Sequence, residues 1–191
     1  MTAEAKLSLP AQTLSSEDSA IRRVLEKAKA QVGFIPNMYA NMVNSPGVLD
    51  TYLDGYARFR SESGFTPVEQ EVVVLIVSVA NGCDYCGAAH SMIADKMSKV
   101  PADVLEALRH NRPIADARLA ALATFTKVMF DTRGRPSKAD LAAFHAAGYS
   151  DRHALEIVLA MAVKTLSNYS NHLFHTEVDA AFAAYKMPPA A

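Results

Sequence analysis

Apolar residues recur at helical spacing along most of the chain, and glycine, proline and serine separate the resulting stretches. Several stretches follow capping signals, in which serine or threonine precedes a proline or an acidic residue. This pattern predicts an all-α protein. The predicted helices cover residues 16–31 (capped by Ser15 or Ser16), 46–61, 67–80, 83–97, 101–109, 114–130, 138–147 and 151–185, the last with a break around 168–171.

The spacing of apolar residues does not show whether one stretch is a helix or a strand. Residues 71–80 are crowded with valine and isoleucine, which is also typical of a buried strand. The preceding segment 66–69 (Thr-Pro-Val-Glu) combines a capping box with a proline at the first helical position. We therefore expect a buried helix over 67–80, followed by a turn at the Asn-Gly pair 81–82.

The length of 191 residues is sufficient for one domain with a sizeable core. We expect a single domain over residues 1–191. Within it, residues 1–44 would form an N-terminal extension with a helix and an apolar strap (34–43), and residues 45–182 would form the core.

Charge and hydropathy exclude several classes of partner. The net charge is −1, so no basic excess favours nucleic acid or an anionic membrane surface. The longest apolar run, 72–80, is half of what a bilayer-spanning helix needs. Residues 1–10 lack the pattern of a signal peptide. These features predict a cytoplasmic protein, in which thiols stay reduced.

The only two cysteines of the chain, Cys83 and Cys86, form a CxxC motif, and His90 follows. On a helix, the two sulfurs lie on one face, and His90 shares that face because it is four residues from Cys86. In a reducing compartment a CxxC is typical of a redox-active or metal-bound pair. We interpret this segment as the active site.

The predicted turn can also bring a carboxylate from the preceding helix, Glu71, to this motif. If the helices over 67–80 and 83–97 fold back on each other, Glu71 can face His90. A carboxylate that opens an apolar run needs a partner, because an unpaired buried charge is costly. A Glu71–His90–Cys86 relay would orient the imidazole, remove the thiol proton and produce the nucleophilic thiolate. The start of a helix favours a thiolate as well.

The chain resembles a known family at this point, the alkylhydroperoxidase AhpD-like branch of the carboxymuconolactone decarboxylase superfamily. The resemblance extends over about residues 45–182. Its residues are Glu71, the segment Asn81-Gly82-Cys83-x-Tyr85-Cys86-x3-His90 and the pair Asn171-His172. It implies an all-α AhpD-like fold with the CxxC at the start of a core helix, assembled as a trimer or hexamer.

The same resemblance implies a thiol-dependent hydroperoxide reductase with an antioxidant role and no metal or other cofactor. Cys86 would attack the hydroperoxide, Cys83 would resolve the sulfenic acid, and Glu71 and His90 would relay protons. A dithiol, or a partner like thioredoxin or lipoamide, would recycle the disulfide. Tyr85 stands where the best-studied members carry a histidine, and it can donate a hydrogen bond but is a poor base near neutral pH.

Two alternatives stay open from the residues alone. Cys83, Cys86 and His90 could bind zinc in a non-enzymatic or redox-sensing module, with Glu71 or a residue of a neighbouring subunit as a fourth ligand. The CxxC could also belong to a disulfide reductase without activity on peroxides.

Overall fold

The computed structural model describes residues 4–188, which form helices and no strand. The all-α prediction is therefore confirmed for this part of the chain. None of these helices is both long and apolar enough to cross a bilayer. The helices are α1 Ser19–Val32, α2 Asn37–Met42, α3 Pro46–Glu62, α4 Pro67–Ala80, α5 Asp84–Lys96, α6 Ala102–Arg109, α7 Ala117–Asp131, α8 Lys138–Ala146 and α9 Asp151–Phe174, followed by a 3-10 helix at Ala180–Tyr185.

The valine-rich stretch is a helix, α4, as its capping signal predicted. The Glu69 backbone N–H donates to the Thr66 hydroxyl at 3.3 Å, and the Thr66 backbone N–H donates to Glu69 Oε2 at 2.8 Å. Helix α4 lies at the centre of the fold, where it contacts α5, α7 and α9. Burial on several sides explains why its sequence shows almost no polar face.

Two predicted helix ends are wrong. Helix α1 is capped by Asp18 and not by Ser15 or Ser16, because the Asp18 carboxylate accepts a 2.7 Å hydrogen bond from the Ala20 N–H. The last long helix does not continue to residue 185. It ends at Phe174, because the next residue is left-handed (φ 49°), and the 3-10 helix then lies against α5.

The buried apolar residues form two clusters. One fills the space between α4, α6, α7 and α8, and the other is formed mainly by α1, α2, α3 and the start of α5. Cys83, Tyr85 and Cys86 belong to the second cluster. Parts of α9 contribute to both clusters, so α9 connects the core to the region of the cysteines.

Candidate active site

The turn between α4 and α5 places the two cysteines at the start of a helix. Gly82 has a φ of 65°, a conformation that side-chain-bearing residues rarely adopt. Cys83 occupies the N-cap position of α5, and Cys86 lies in its first turn. Both cysteines are buried free thiols 3.6 Å apart. The two cysteines are close enough to form a disulfide after a small movement.

Polar side chains of α9 contact the sulfur atoms of the two cysteines. The Asn171 amide Nδ2 donates to Cys86 Sγ at 3.4 Å and to Cys83 Sγ at 3.7 Å. The Cys86 thiol donates to Ser167 Oγ at 3.7 Å. Cys86 thus has the larger set of polar contacts.

The two thiols differ in acidity. Burial alone would raise the pKa of Cys86, but the hydrogen bond from Cys83, the Lys164 cation and His90 together lower it well below its usual value. The pKa of Cys83 is raised by the hydrogen bond to Cys86 and by burial. The directions of the two shifts favour Cys86 as the thiol that ionises first.

Glu71 and His90 are in direct contact, as the turn geometry predicted. His90 Nδ1 lies 3.0 Å from Glu71 Oε2, and Glu71 is fully buried. On its other side, the Arg60 guanidinium donates to Glu71 Oε1 at 2.5 Å. Ser98 Oγ also donates to Oε1, at 3.3 Å. The carboxylate is held by a cation, a hydroxyl and an imidazole.

The charges of Glu71, Arg60 and Lys164 determine which nitrogen of His90 carries a proton. Burial would raise the pKa of Glu71, but the His90 hydrogen bond and the Arg60 charge lower it, so Glu71 is ionised. Burial lowers the pKa of His90, and the Lys164 cation lowers it further. A neutral imidazole beside a carboxylate carries its proton on Nδ1, which donates to Glu71. The other nitrogen, Nε2, is then a proton acceptor.

The His90–Cys86 part of the expected relay is not a direct hydrogen bond. Within residues 4–188 no hydrogen bond joins the imidazole to the Cys86 sulfur, although both side chains line one cavity of about 110 Å³. A proton passing between them needs a molecule in that cavity. Substrate or water can fill this position.

Aromatic side chains form much of the cavity wall. Four tyrosines line it together with Cys86 and His90: Tyr39, Tyr52, Tyr56 and Tyr85. Burial raises the pKa of all four, that of Tyr39 to about 12, so their hydroxyls stay neutral. The cavity presents the nucleophile to an apolar, aromatic space with neutral hydroxyl groups.

Residues 46–127 match the family model of the carboxymuconolactone decarboxylase family. The fold resembles that of the AhpD core, an uncharacterised peroxidase-related protein from Ralstonia eutropha JMP134, with a TM-score of 0.78, 24% identity and coverage of 91% of this chain and 93% of that chain. Over residues 46–127 this chain is similar to that family, and it has the AhpD-like fold.

Two further solved structures share the AhpD-like fold. An uncharacterised peroxidase-related protein from Silicibacter sp. TM1040 has a TM-score of 0.74 and 22% identity, with coverage of 95% of both chains. The debrominase Bmp8 has a TM-score of 0.73 and 20% identity, with coverage of 94% of this chain and 96% of that chain. A cysteine-to-alanine variant of Bmp8 is in complex with 2,3,4-tribromopyrrole. No curated protein matches the sequence.

Tyr85 of this AhpD-like chain is tied to the C-terminal segment. Its hydroxyl donates to Asp179 Oδ2 at 2.5 Å and accepts from the Met38 N–H at 3.5 Å. Its ring lines the cavity and packs edge-on against Phe182. Tyr85 therefore shapes the cavity and does not stand in for a basic histidine.

Within residues 4–188, the side chains around the cysteines do not form a set of zinc ligands. Among the residues that the structure describes, no three histidine, cysteine or carboxylate side chains are placed to hold one ion. Glu71 instead uses both oxygens for Arg60 and His90.

Cys83 opens to a different side from Cys86. It borders a depression lined by Arg109 and Met187 and another lined by His172 and His175. Cys86 borders the tyrosine-lined cavity instead. The two sulfurs thus face two separate approaches to the site.

The sequence-based set of site residues was incomplete. It contained Glu71, Cys83, Tyr85, Cys86 and His90, all of which lie in this region, but it lacked the partners from α3 and α9. The missed residues are Arg60, Lys164 and Ser167; Asn171 appeared only as part of the family pattern. A signal was available on α9, where Lys164, Ser167 and Asn171 recur at helical spacing on a buried face.

Proposed function

We propose that the protein is a thiol-dependent reductase of organic hydroperoxides, with Cys86 as nucleophile and Cys83 as resolving thiol. The observation that carries this proposal is the unequal thiol pair, in which a buried, acidic Cys86 borders a cavity and lies 3.6 Å from Cys83. A static structural pair has no need for such asymmetry. The AhpD-like fold supports the same class of activity.

The first step transfers one oxygen atom to Cys86. The thiolate attacks the distal oxygen of the hydroperoxide, a sulfur–oxygen bond forms and the oxygen–oxygen bond breaks. His90 Nε2, neutral in the free protein, takes up the proton that Cys86 releases, through a water molecule in the cavity, and passes it to the leaving alkoxide. Cys86 becomes a sulfenic acid, and the products are the alcohol and a neutral imidazole. Glu71 stabilises the imidazolium in between.

The second step oxidises the thiol pair. The Cys83 sulfur attacks the Cys86 sulfenic acid, the Cys83 proton leaves with the hydroxyl group as water, and a disulfide forms. A dithiol partner then reduces the disulfide and is itself oxidised. We assign its approach to the two depressions that Cys83 borders. The cytoplasm is the compartment in which such a reductant is available.

The cavity favours an alkyl or aryl hydroperoxide over hydrogen peroxide. Its wall is formed mainly by aromatic and aliphatic side chains, and its volume is about 110 Å³. Apolar walls hold an apolar substituent, and the tyrosine hydroxyls can donate to the peroxide oxygens.

A single-turnover assay tests this function. Fully reduced protein mixed with one equivalent of cumene hydroperoxide should consume it, lose two free thiols and form a Cys83–Cys86 disulfide. Hydrogen peroxide should react more slowly, because it leaves the apolar part of the cavity unfilled. Reduction of added disulfides without any consumption of hydroperoxide would identify a disulfide reductase instead.

A second candidate is reductive removal of bromine from an aromatic substrate. The tyrosine-lined cavity favours it, and the debrominase Bmp8 shares the fold. In the balanced reaction, a bromoarene and two thiols give the arene, a disulfide and hydrogen bromide. Bromide release from a brominated pyrrole, equal to the disulfide formed, would establish this activity; its absence would leave the hydroperoxide as substrate.

We also propose that the protein assembles as a homo-oligomer, trimeric or hexameric, through α9. Exposed uncharged residues follow one stripe of this helix at heptad-like spacing: Leu155, Val158, Ala162, Thr165, Tyr169 and Leu173. Such a face is typical of a helix that packs against another protein surface.

Two charges on this face should break the assembly. We expect the wild type to sediment well above its monomer mass of 20.6 kDa, and Val158→Glu with Tyr169→Glu to sediment as a monomer. Circular dichroism should be unchanged, because both side chains are exposed. A wild-type monomer at micromolar concentration would contradict the proposal.

A further inference from the structure

Lys164 lies inside the protein, and nothing among residues 4–188 pairs with its amine. Its side chain is fully buried in the middle of α9, and within the described residues its Nζ makes no hydrogen bond. Burying an unpaired ammonium group is among the most costly arrangements in a protein. Such a group therefore needs a negative charge that forms in a particular state of the molecule.

The helix places Lys164 towards the cysteines. Ser167 follows it by three residues and Asn171 by seven, so the three side chains share one face of α9. Ser167 and Asn171 both contact the Cys86 sulfur, at 3.7 and 3.4 Å. Lys164 continues the same polar stripe by one turn.

Other acidic groups around the site do not neutralise this cation. Glu71 is already held by Arg60 and His90. Asp179 accepts hydrogen bonds from the Tyr85 hydroxyl and the Asn37 N–H. Every helix that packs around Cys86 contributes titratable or charged groups that face Cys86 or its immediate neighbours. These groups are Tyr39 (α2); Tyr52, Tyr56 and Arg60 (α3); Glu71 (α4); Cys83, Tyr85 and His90 (start and body of α5); and Lys164 (α9). In this set, the Cys86 sulfur is the group that can become negative and still lacks a counter-charge.

We propose that Lys164 is the positioning residue whose buried cation holds Cys86 as a thiolate in the reduced protein. The cation stabilises the reduced state, so the Cys83–Cys86 disulfide becomes easier to reduce, since stabilising the reduced form makes a thiol pair a stronger oxidant. This role rests on the proposed function only in taking Cys86 as the nucleophile. In this arrangement the Cys86 thiolate is the counter-charge of the buried Lys164 amine.

Alkylation of Cys86 as a function of pH tests the proposal without any peroxide. Wild-type protein should react with iodoacetamide at a rate that stays high down to acidic pH and falls only as pH drops through the low pKa of Cys86. Lys164→Met keeps the length of the side chain and removes the charge. In this variant we expect the midpoint of the pH profile of Cys86 alkylation to move to higher pH, and the alkylation rate at pH 7 to fall at least about tenfold. Mass spectrometry of the labelled peptide separates Cys86 from Cys83.

Stability distinguishes this role from a packing role. In Lys164→Met, Cys86 keeps its proton, so a buried ion pair is replaced by two neutral groups. The melting temperature should therefore stay unchanged or rise, and the disulfide should become harder to reduce with a dithiol. Lys164→Arg should keep the midpoint of the alkylation pH profile low, because it keeps the charge. Lys164→Gln provides a second neutral variant if the methionine variant does not fold. An unchanged midpoint in a folded neutral variant would overturn the proposal. Failure to reduce hydroperoxides with the midpoint shifted would overturn only the proposed function.

Discussion

Cys86→Ser should abolish hydroperoxide consumption, including the first turnover. A serine hydroxyl is not ionised near neutral pH and is a far weaker nucleophile than a thiolate, so the oxygen–oxygen bond stays intact. The exchange is nearly isosteric, and the contacts to Ser167 and Asn171 can be retained. Stopped-flow mixing of reduced protein with cumene hydroperoxide measures the result.

Cys83→Ser is the matched variant for this experiment. It should consume about one equivalent of hydroperoxide and then stop, because a sulfenic acid forms on Cys86 and has no internal thiol to resolve it. A sulfenic-acid probe should label Cys86 in this protein. A sulfenic acid on Cys83 in the Cys86→Ser protein would instead reverse the order of the two cysteines.

Local signals in the sequence were sufficient to predict most of the fold. The Thr66–Glu69 capping box decided that the valine-rich stretch is a helix, and the structure confirms it. The turn at residues 81–82 then made the contact between Glu71 and His90 predictable from helix geometry. Both inferences depend on residues that lie close in sequence, within one helix or one tight turn.

Contacts between distant segments were not predictable in the same way. Arg60 and Glu71 belong to different helices, and no periodicity shows that their side chains meet. Ser167 reaches Cys86 only because α9 packs against α5. The predicted end of α9 was wrong for a related reason. His175 has a left-handed backbone conformation, and neither glycine nor proline occurs there to indicate a helix end.

The tyrosines show a further limit. Tyr52 and Tyr56 have helical spacing on α3, which predicts core residues, and both are buried or partly buried in the second cluster. The same two rings also form the wall of the cavity beside Cys86. A sequence pattern records which face of a helix is apolar, but it does not record whether that face meets another side chain or an empty space.

The last prediction concerns the Glu71–His90 pair, whose loss should slow hydroperoxide reduction by about 10²–10⁴-fold. His90 lies near Cys86 without bonding it, and the acidity of Cys86 depends on Cys83 and Lys164 as well. The pair is therefore needed mainly to deliver a proton to the leaving oxygen. In Glu71→Gln the Arg60 charge loses its partner and disfavours an imidazolium, so His90 accepts and delivers the proton less readily.

Comparison of two reactions isolates this role. Alkylation by iodoacetamide releases iodide, which needs no proton, whereas hydroperoxide reduction releases an alkoxide, which does. Glu71→Gln and His90→Gln should therefore lose far more hydroperoxide rate than alkylation rate near neutral pH. Glu69→Gln is the control, because Glu69 is a buried carboxylate of the same helix that bonds Arg118 and Tyr149 away from the cysteines. It should lose stability and keep both rates. Equal losses in the two reactions would restrict the pair to ionising Cys86, and no loss in either would remove it from the mechanism.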